Sequence, residues 1–234
     1  MEIDNFIKEL EKINIEPTEH QLNQLKRYYE LLREWNDKIN LTAITEEAEV
    51  YIKHFYDSLT IVQITNLTNK QTLCDVGTGA GIPGIVLKIF YPNLEITLVD
   101  SIEKKTNFLK LAINELGLEK IEVVHARAED LSSIKRDYYD IVVARAVAKL
   151  NILIELCIPL LKLKGEFIAY KGNLDLELEE SVNALTCLNA SINEVKKTEL
   201  PFARGTRTLL KIIKSGPTNN KYPRQFNQIK KKPL

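Results

Sequence analysis

Over the first third of the chain, apolar residues recur every three or four positions, the spacing that keeps one face of an α-helix dry. Phe6, Ile7, Leu10 and Ile13 mark a short helix, and Leu22, Leu25, Tyr29, Leu32 and Trp35 a longer one that Thr18 is placed to cap. Val50, Ile52, Phe55, Leu59 and Val62 give the packed face of a third helix over 46–64. Residues 1–69 contain no glycine and one proline, Pro17, so they read as a helical cap. From residue 72 the period changes. Short apolar runs at 72–76, 95–99, 121–125, 139–146 and 166–170 alternate with helical stretches, among them 103–116, which Gly117 closes. Strand then helix, repeated, predicts a mostly parallel, doubly wound α/β sheet behind the cap. A helix at 175–188 and strands near 192–200 and 208–213 complete it, the two strands joined by a hairpin tip that bears Arg204 and Arg207. From Pro217 onward no hydrophobic period is visible.

The densest signal in the chain lies between the first strand and its helix. Nine glycines occur in all, and Gly77, Gly79, Gly81 and Gly84 fall within eight consecutive positions. A glycine run costs backbone entropy, so it is expected where φ must be positive or a ligand must touch the backbone. Two frames fit. Counted from Gly79, the run matches the dinucleotide pattern G-x-G-x-x-G, with Asp100 about where a ribose-binding acid belongs. Counted from Asp75, it reads acid-x-Gly-x-Gly-x-Gly, which resembles the first motif of Rossmann-like methyltransferases that bind S-adenosyl-L-methionine. The second frame is preferred because the apolar strand stops at Val76, which puts Gly77 already in the turn. Charge argues the same way: a carboxylate at Asp75 suits an ammonium and a sulfonium better than a pyrophosphate. A structural turn with no ligand is the plainer alternative.

The chain's 234 residues, 44% hydrophobic and 27% charged, suffice for one large α/β domain with a small appendage. No apolar stretch reaches the length of a membrane span, and the start is acidic rather than basic, so a cytoplasmic protein with no membrane attachment is expected. Cys74, Cys157 and Cys187 are odd in number and sit in apolar runs, and the three histidines have no cysteine neighbours, so no metal site is expected. Formal charge balances at 32 cations and 32 anions, yet Glu199 is the last acid and nine basic residues follow it. The final 35 residues therefore carry +9 and the first 199 carry −9. Such an end suits contact with a polyanion, although a solvated tail without a partner fits as well.

Residues at the carboxyl ends of the strands carry the candidate chemistry, because ligands of doubly wound sheets sit there. Asp100 is placed for ribose hydroxyls and Glu129, after the third strand, for adenine. Arg145 ends the fourth strand and Lys171 the fifth. The Asn-Pro-Pro-Tyr type motif of amine methylation is absent, and so is a Pro-Cys nucleophile, since Cys157 precedes Ile158-Pro159 inside a helix. An arginine cannot serve as a base at neutral pH, so the target atom must already be nucleophilic. Guanine N7 meets that condition, and its neighbour O6 accepts hydrogen bonds from a guanidinium. A salt bridge from Arg145 to a carboxylate of the cap is the competing reading.

Asn40-Leu41-Thr42, His54 with Asp57-Ser58-Leu59, the run from Asp75 to Gly84, Asp100-Ser101, Arg127-Ala128-Glu129, Ala144-Arg145-Ala146, Lys171-Gly172 and Tyr222-Pro223-Arg224 together resemble the RsmG, or GidB, family of 16S ribosomal RNA guanine-N7 methyltransferases. The resemblance implies a class I methyltransferase fold divided as a cap (1–69), a cofactor-binding domain (70–216) and a basic tail (217–234). It implies methyl transfer from S-adenosyl-L-methionine to one guanine N7 near the decoding site, with 16S rRNA or the small ribosomal subunit as partner and a monomeric enzyme. Cofactor contacts are expected at Asp75, Gly77, Gly79, Ile82, Asp100, Ala128, Glu129 and Arg145, with Arg145 and Lys171 as the catalytic pair. Lys53, His54, Arg204, Arg207 and Arg224 are the candidates for RNA contact. Two departures stand out: Lys53 where the family carries an arginine, and Gln225-Phe226-Asn227 where a glycine is expected after Arg224. A nicotinamide-dependent oxidoreductase using the shifted glycine frame and a non-enzymatic rRNA-binding module are the alternatives.

Overall fold

The alternating runs close into one seven-stranded sheet of order β3-β2-β1-β4-β5-β7-β6. The computed structural model describes residues 3–172 and 174–234. The strands are β1 (Thr72–Val76), β2 (Glu95–Asp100), β3 (Ile121–His125), β4 (Tyr139–Arg145), β5 (Leu161–Lys171), β6 (Ala190–Glu199) and β7 (Thr206–Lys214). β1 to β5 are parallel, whereas β7 runs antiparallel between β5 and β6. Strand order reverses between β1 and β4, which opens a crevice at their carboxyl ends. Register aligns those ends: Val76 pairs with Val99 and Ala144, Asp100 with His125, and Arg145 with Tyr170. β5 begins at Leu161 rather than at 166, because Leu161 pairs with Tyr139 across an irregular register.

Side chains alternate across a strand, so the sheet has two dry faces. Leu73, Ile141, Val143 and Ile168 face one core and Cys74, Val142, Phe167 and Ala169 the other. The first core also takes in α1 (Ile3–Glu11), α2 (Glu19–Ile39), α5 (Gly84–Phe90) and α6 (Glu103–Glu115). Thr18 caps α2 as the sequence suggests: its hydroxyl accepts the Gln21 N–H, and the Gln21 side chain accepts the Thr18 N–H in return. The second core is covered by α8 (Leu150–Cys157), α10 (Val182–Cys187) and α11 (Phe226–Lys231), with α7 (Ala128–Leu131) and α9 (Asp175–Glu180) beside them. The helix expected at 175–188 is thus two short helices that break at Ser181.

Two further segments differ from what periodicity suggests. The third helix is not uniform: α3 (Glu47–Val50) widens into a π-helical turn over Tyr51–Tyr56, then continues as α4 (Asp57–Leu59) and a 3₁₀ turn over Thr60–Gln63. Such widened turns recur at functional sites. The carboxyl-terminal segment, which shows no period from Pro217, is docked rather than loose. Tyr222 and Ile229 are buried, and the Arg136 guanidinium donates to the carbonyls of Thr218, Asn219 and Tyr222. The missed signal is short: Tyr222, Phe226 and Ile229 are spaced four and three apart, too few residues to register as a period.

Candidate functional site

β1 ends at Val76 and the chain turns at once, with Gly77, Gly79 and Gly81 all at positive φ. This is the frame counted from Asp75. The Gly77 and Thr78 N–H groups donate to the Val99 carbonyl on β2, which ties the turn to the neighbouring strand. Asp75 closes the loop from inside: its Oδ2 accepts the Thr78 hydroxyl at 2.6 Å and the Gly84 N–H at 2.8 Å. From α2, the buried Tyr28 hydroxyl donates to the Ala80 carbonyl at 2.6 Å, so the N-terminal helices hold the loop as well. Asp75 is fully buried and leaves Oδ1 without a partner, and burial pushes its carboxyl up to about 6. Asp75, expected beside the cofactor's cation, is buried and bonded to the loop it braces.

Above the second core face, the ends of β1, β2 and β3 enclose a cavity of about 190 Å3 bounded by Gly77, Asp100, Ser101, Ala128 and Glu129. Asp100 is fixed within it, Oδ2 accepting the Gly79 N–H at 3.0 Å and Oδ1 the Ile102 N–H at 2.9 Å, with lone pairs left for ribose hydroxyls. Glu129 is buried, yet its carboxylate has no hydrogen-bond or ion-pair partner among the described residues. Its oxygens are not among the fully buried, unpartnered side-chain atoms of the described residues, so they open into the cavity with acceptor capacity to spare. A Cβ added at Gly77 would lie 2.7 Å from Val147 Cγ2, so glycine there keeps the wall open. These features fit a nucleoside. A larger cavity, about 390 Å3, lies at the opposite ends of the strands around Thr72, Glu95 and Tyr139, and holds none of the expected residues. Ile82, expected at the cofactor, is buried in the first core.

Arg145 sits at the end of β4 and is pinned from the widened third helix. Its Nη1 donates to the Lys53 carbonyl at 2.9 Å and to Asp57 Oδ2 at 2.7 Å, and its Nη2 to His54 Nδ1 at 2.6 Å. The salt bridge to the N-terminal helices therefore exists. Three of its five N–H donors are engaged, and two remain. Because arginine only donates, His54 Nδ1 must be the acceptor, so Nε2 carries the proton and donates to Thr42 Oγ1 at 2.9 Å. Burial, reinforced by the Arg145 charge, lowers His54 to about 3, which keeps the ring neutral at working pH. Lys171, at the end of β5, pairs with Glu177 at 2.6 Å and donates to the Ala148 carbonyl at 3.0 Å.

The residues expected to meet RNA are all engaged within the chain. His54 is buried with both ring nitrogens bonded. Lys53 and Arg204 both pair with Glu49. Arg207 belongs to β7 rather than to an exposed hairpin tip, and its Nε reaches buried Asp57 at 2.6 Å, so Asp57 lies between two arginines. Arg224 is clamped by Glu155. Sequence marks these cations but not the carboxylates that neutralise them. It also misses Tyr28, Val147 and Phe226, apolar or helical positions whose only sequence signature is that of ordinary core.

Compared with known proteins, residues 21–209 match the GidB family model, described as rRNA small subunit methyltransferase G. The Ribosomal RNA small subunit methyltransferase G of Alkaliphilus metalliredigens is 48% identical over 219 residues, 92% of each chain. The protein of that name from Exiguobacterium sibiricum is 43% identical over 232 residues, 98% of each chain. Among solved structures, the SAM-dependent O-methyltransferase of Thermotoga maritima superposes with a TM-score of 0.55 at 17% identity, covering 81% of this chain and 73% of that one. A mutant 16S rRNA (adenine(1408)-N(1))-methyltransferase from Catenulisporales acidiphilia, solved with its cosubstrate SAM, gives a TM-score of 0.51 at 15% identity over 65% of this chain and 88% of its own. These likenesses place the sheet and its flanking helices in the Rossmann-like class I methyltransferase fold.

Proposed function

On the premise that this chain belongs to the rRNA small subunit methyltransferase G family, we propose that it transfers a methyl group from S-adenosyl-L-methionine to a guanine N7 of 16S rRNA near the decoding site. The observation that carries the cofactor assignment is the Glu129 carboxylate, unpartnered among the described residues, lining one cavity with Asp100 and Gly77. Glu129 accepts the adenine amine, Asp100 the ribose hydroxyls, and the Ala128 backbone meets the ring edge. The cofactor supplies an electrophilic methyl group on a sulfonium. Arg145 keeps two donors for the reacting face, and Lys171 adds positive charge at the neighbouring strand end. Around Arg145, His54 is bonded at both nitrogens and Asp57 is held by two arginines, so no free general base stands there among the described residues. That suits a target whose lone pair is already available, and catalysis then rests on positioning and preorganised charge. The chain acts as a monomer in the cytoplasm, with Lys230, Lys231 and Lys232, all exposed, meeting phosphates.

Calorimetry separates this reading from the nicotinamide alternative. The expected result is micromolar binding of S-adenosyl-L-methionine, weakened at least ten-fold by Glu129→Gln, with no heat from NAD. Binding of NAD in preference would overturn the assignment.

A further inference from the structure

The docked carboxyl-terminal segment has a face toward the nucleoside cavity that neither the family resemblance nor the charge pattern anticipates. Arg224 is fixed to the fully buried Glu155 three times over: its backbone N–H and Nε donate to Oε1 at 2.9 and 2.8 Å, and its Nη2 to Oε2 at 2.6 Å. A buried carboxylate matched by a forked guanidinium is a rigid tether. Ile229, buried, seats the other end of the segment against the second core. Between these anchors, Phe226 forms part of the cavity wall, together with Gly77, Asp100 and Leu156, the residue after Glu155. The Arg127 guanidinium lies 5.7 Å from the centre of the Phe226 ring, and Arg127 is the residue that leads into Ala128 and Glu129. Tether, ring and adenine-reading turn are thus one assembly.

Resting on the proposed cofactor site, we infer that the carboxyl-terminal segment is a structural wall of that site, and that Phe226 packs against the face of the adenine ring. The chemistry is complementary: Glu129 and the Ala128 backbone offer hydrogen bonds to the edge of a base, and Phe226 supplies the apolar surface its π-face requires. The segment that charge alone assigns to RNA therefore also determines how tightly the cofactor is held.

The test is calorimetric binding of S-adenosylhomocysteine and of adenosine to the full-length chain. Phe226→Ala is expected to weaken both about ten-fold to a hundred-fold, the range set by loss of one aromatic stacking partner. Phe226→Tyr, which preserves the ring, stays within about three-fold of the original affinity. Phe226→Trp adds a second indole to the single Trp35, and saturating ligand quenches the added emission, a response that mere docking of the segment would not give. Phe226→Ala binding both ligands within two-fold of the original, in a folded chain, would overturn the inference while leaving the cofactor assignment intact. Failure of the unaltered chain to bind either ligand would overturn both.

Discussion

Arg145→Ala is expected to slow methyl transfer about a hundred-fold or more, in a chain that still folds. The guanidinium has two tasks, and they separate energetically. As a structural tie it joins β4 to Lys53, His54 and Asp57. Losing that tie leaves Asp57 with Arg207 still at 2.6 Å, so the buried carboxylate is not left uncompensated, and the stability cost stays at about 1–3 kcal/mol. In the proposed catalytic role, its two remaining donors would hold the reacting face, for which the described residues around it offer no substitute. Arg145→Lys should behave nearly as badly, because an ammonium cannot reproduce the fork that reaches three partners at once. Single-turnover methyl transfer, measured beside thermal unfolding, distinguishes the two tasks. A rate loss no larger than the unfolded fraction accounts for would make Arg145 a structural tie alone.

Asp75→Asn is expected to stabilise the cofactor-free protein at neutral pH and to weaken cofactor binding about ten-fold. Burial raises the folded-state pKa of Asp75 to about 6 from the ordinary carboxylate value of 3.8, so the folded chain holds this proton more tightly than the unfolded chain. The stability it contributes is full below about pH 4 and is lost as pH rises through about 6, a difference of roughly 3 kcal/mol in the ionised state. Asparagine retains the acceptor for Thr78 and Gly84 and removes the charge, though its amide nitrogen takes the unpartnered place of Oδ1 and returns about 1–3 kcal/mol of the gain. The variant should therefore melt higher at pH 7.5 than the original chain, with the advantage shrinking toward pH 4. Asp75 does not line the cavity, so its help to a cationic ligand is exerted through its field. Affinity for the sulfonium cofactor should then fall more than affinity for S-adenosylhomocysteine, whose sulfur is neutral. Equal losses for the two ligands would show that Asp75 only braces the loop. The balance is a familiar one, in which a site gives up stability for function.

What the sequence makes legible follows from how local each signal is. The glycine turn, the strand and helix that flank it, and Thr18 as the cap of α2 are matters of neighbouring residues, and periodicity with turn chemistry reads them directly. Asp100, Ala128 and Glu129 converge because all three follow parallel strands, a rule of the sheet rather than of any one residue. Less legible is whatever depends on partners far along the chain. Asp57 meets Arg207 across 150 positions, and Glu155 meets Arg224 across 69. Nothing local shows that these cations are already neutralised, and so they read as an open surface for RNA. The π-helical turn that brings Lys53, His54 and Asp57 to Arg145 leaves no trace in an apolar pattern only slightly off the helical period. Phe226 stands at the limit, in a docked segment with few apolar residues that composition describes only as basic.

The central claim, methyl transfer to a guanine N7 of small-subunit ribosomal RNA, is tested most directly by incubating the chain with small ribosomal subunits that lack the modification and labelled S-adenosyl-L-methionine. The RNA is then cleaved chemically at N7-methylguanosine. One new scission, at a single guanosine near the decoding site and dependent on the cofactor, is the predicted result. Label incorporated without any such scission, or a chain that binds the cofactor and leaves the RNA unmethylated, would contradict it.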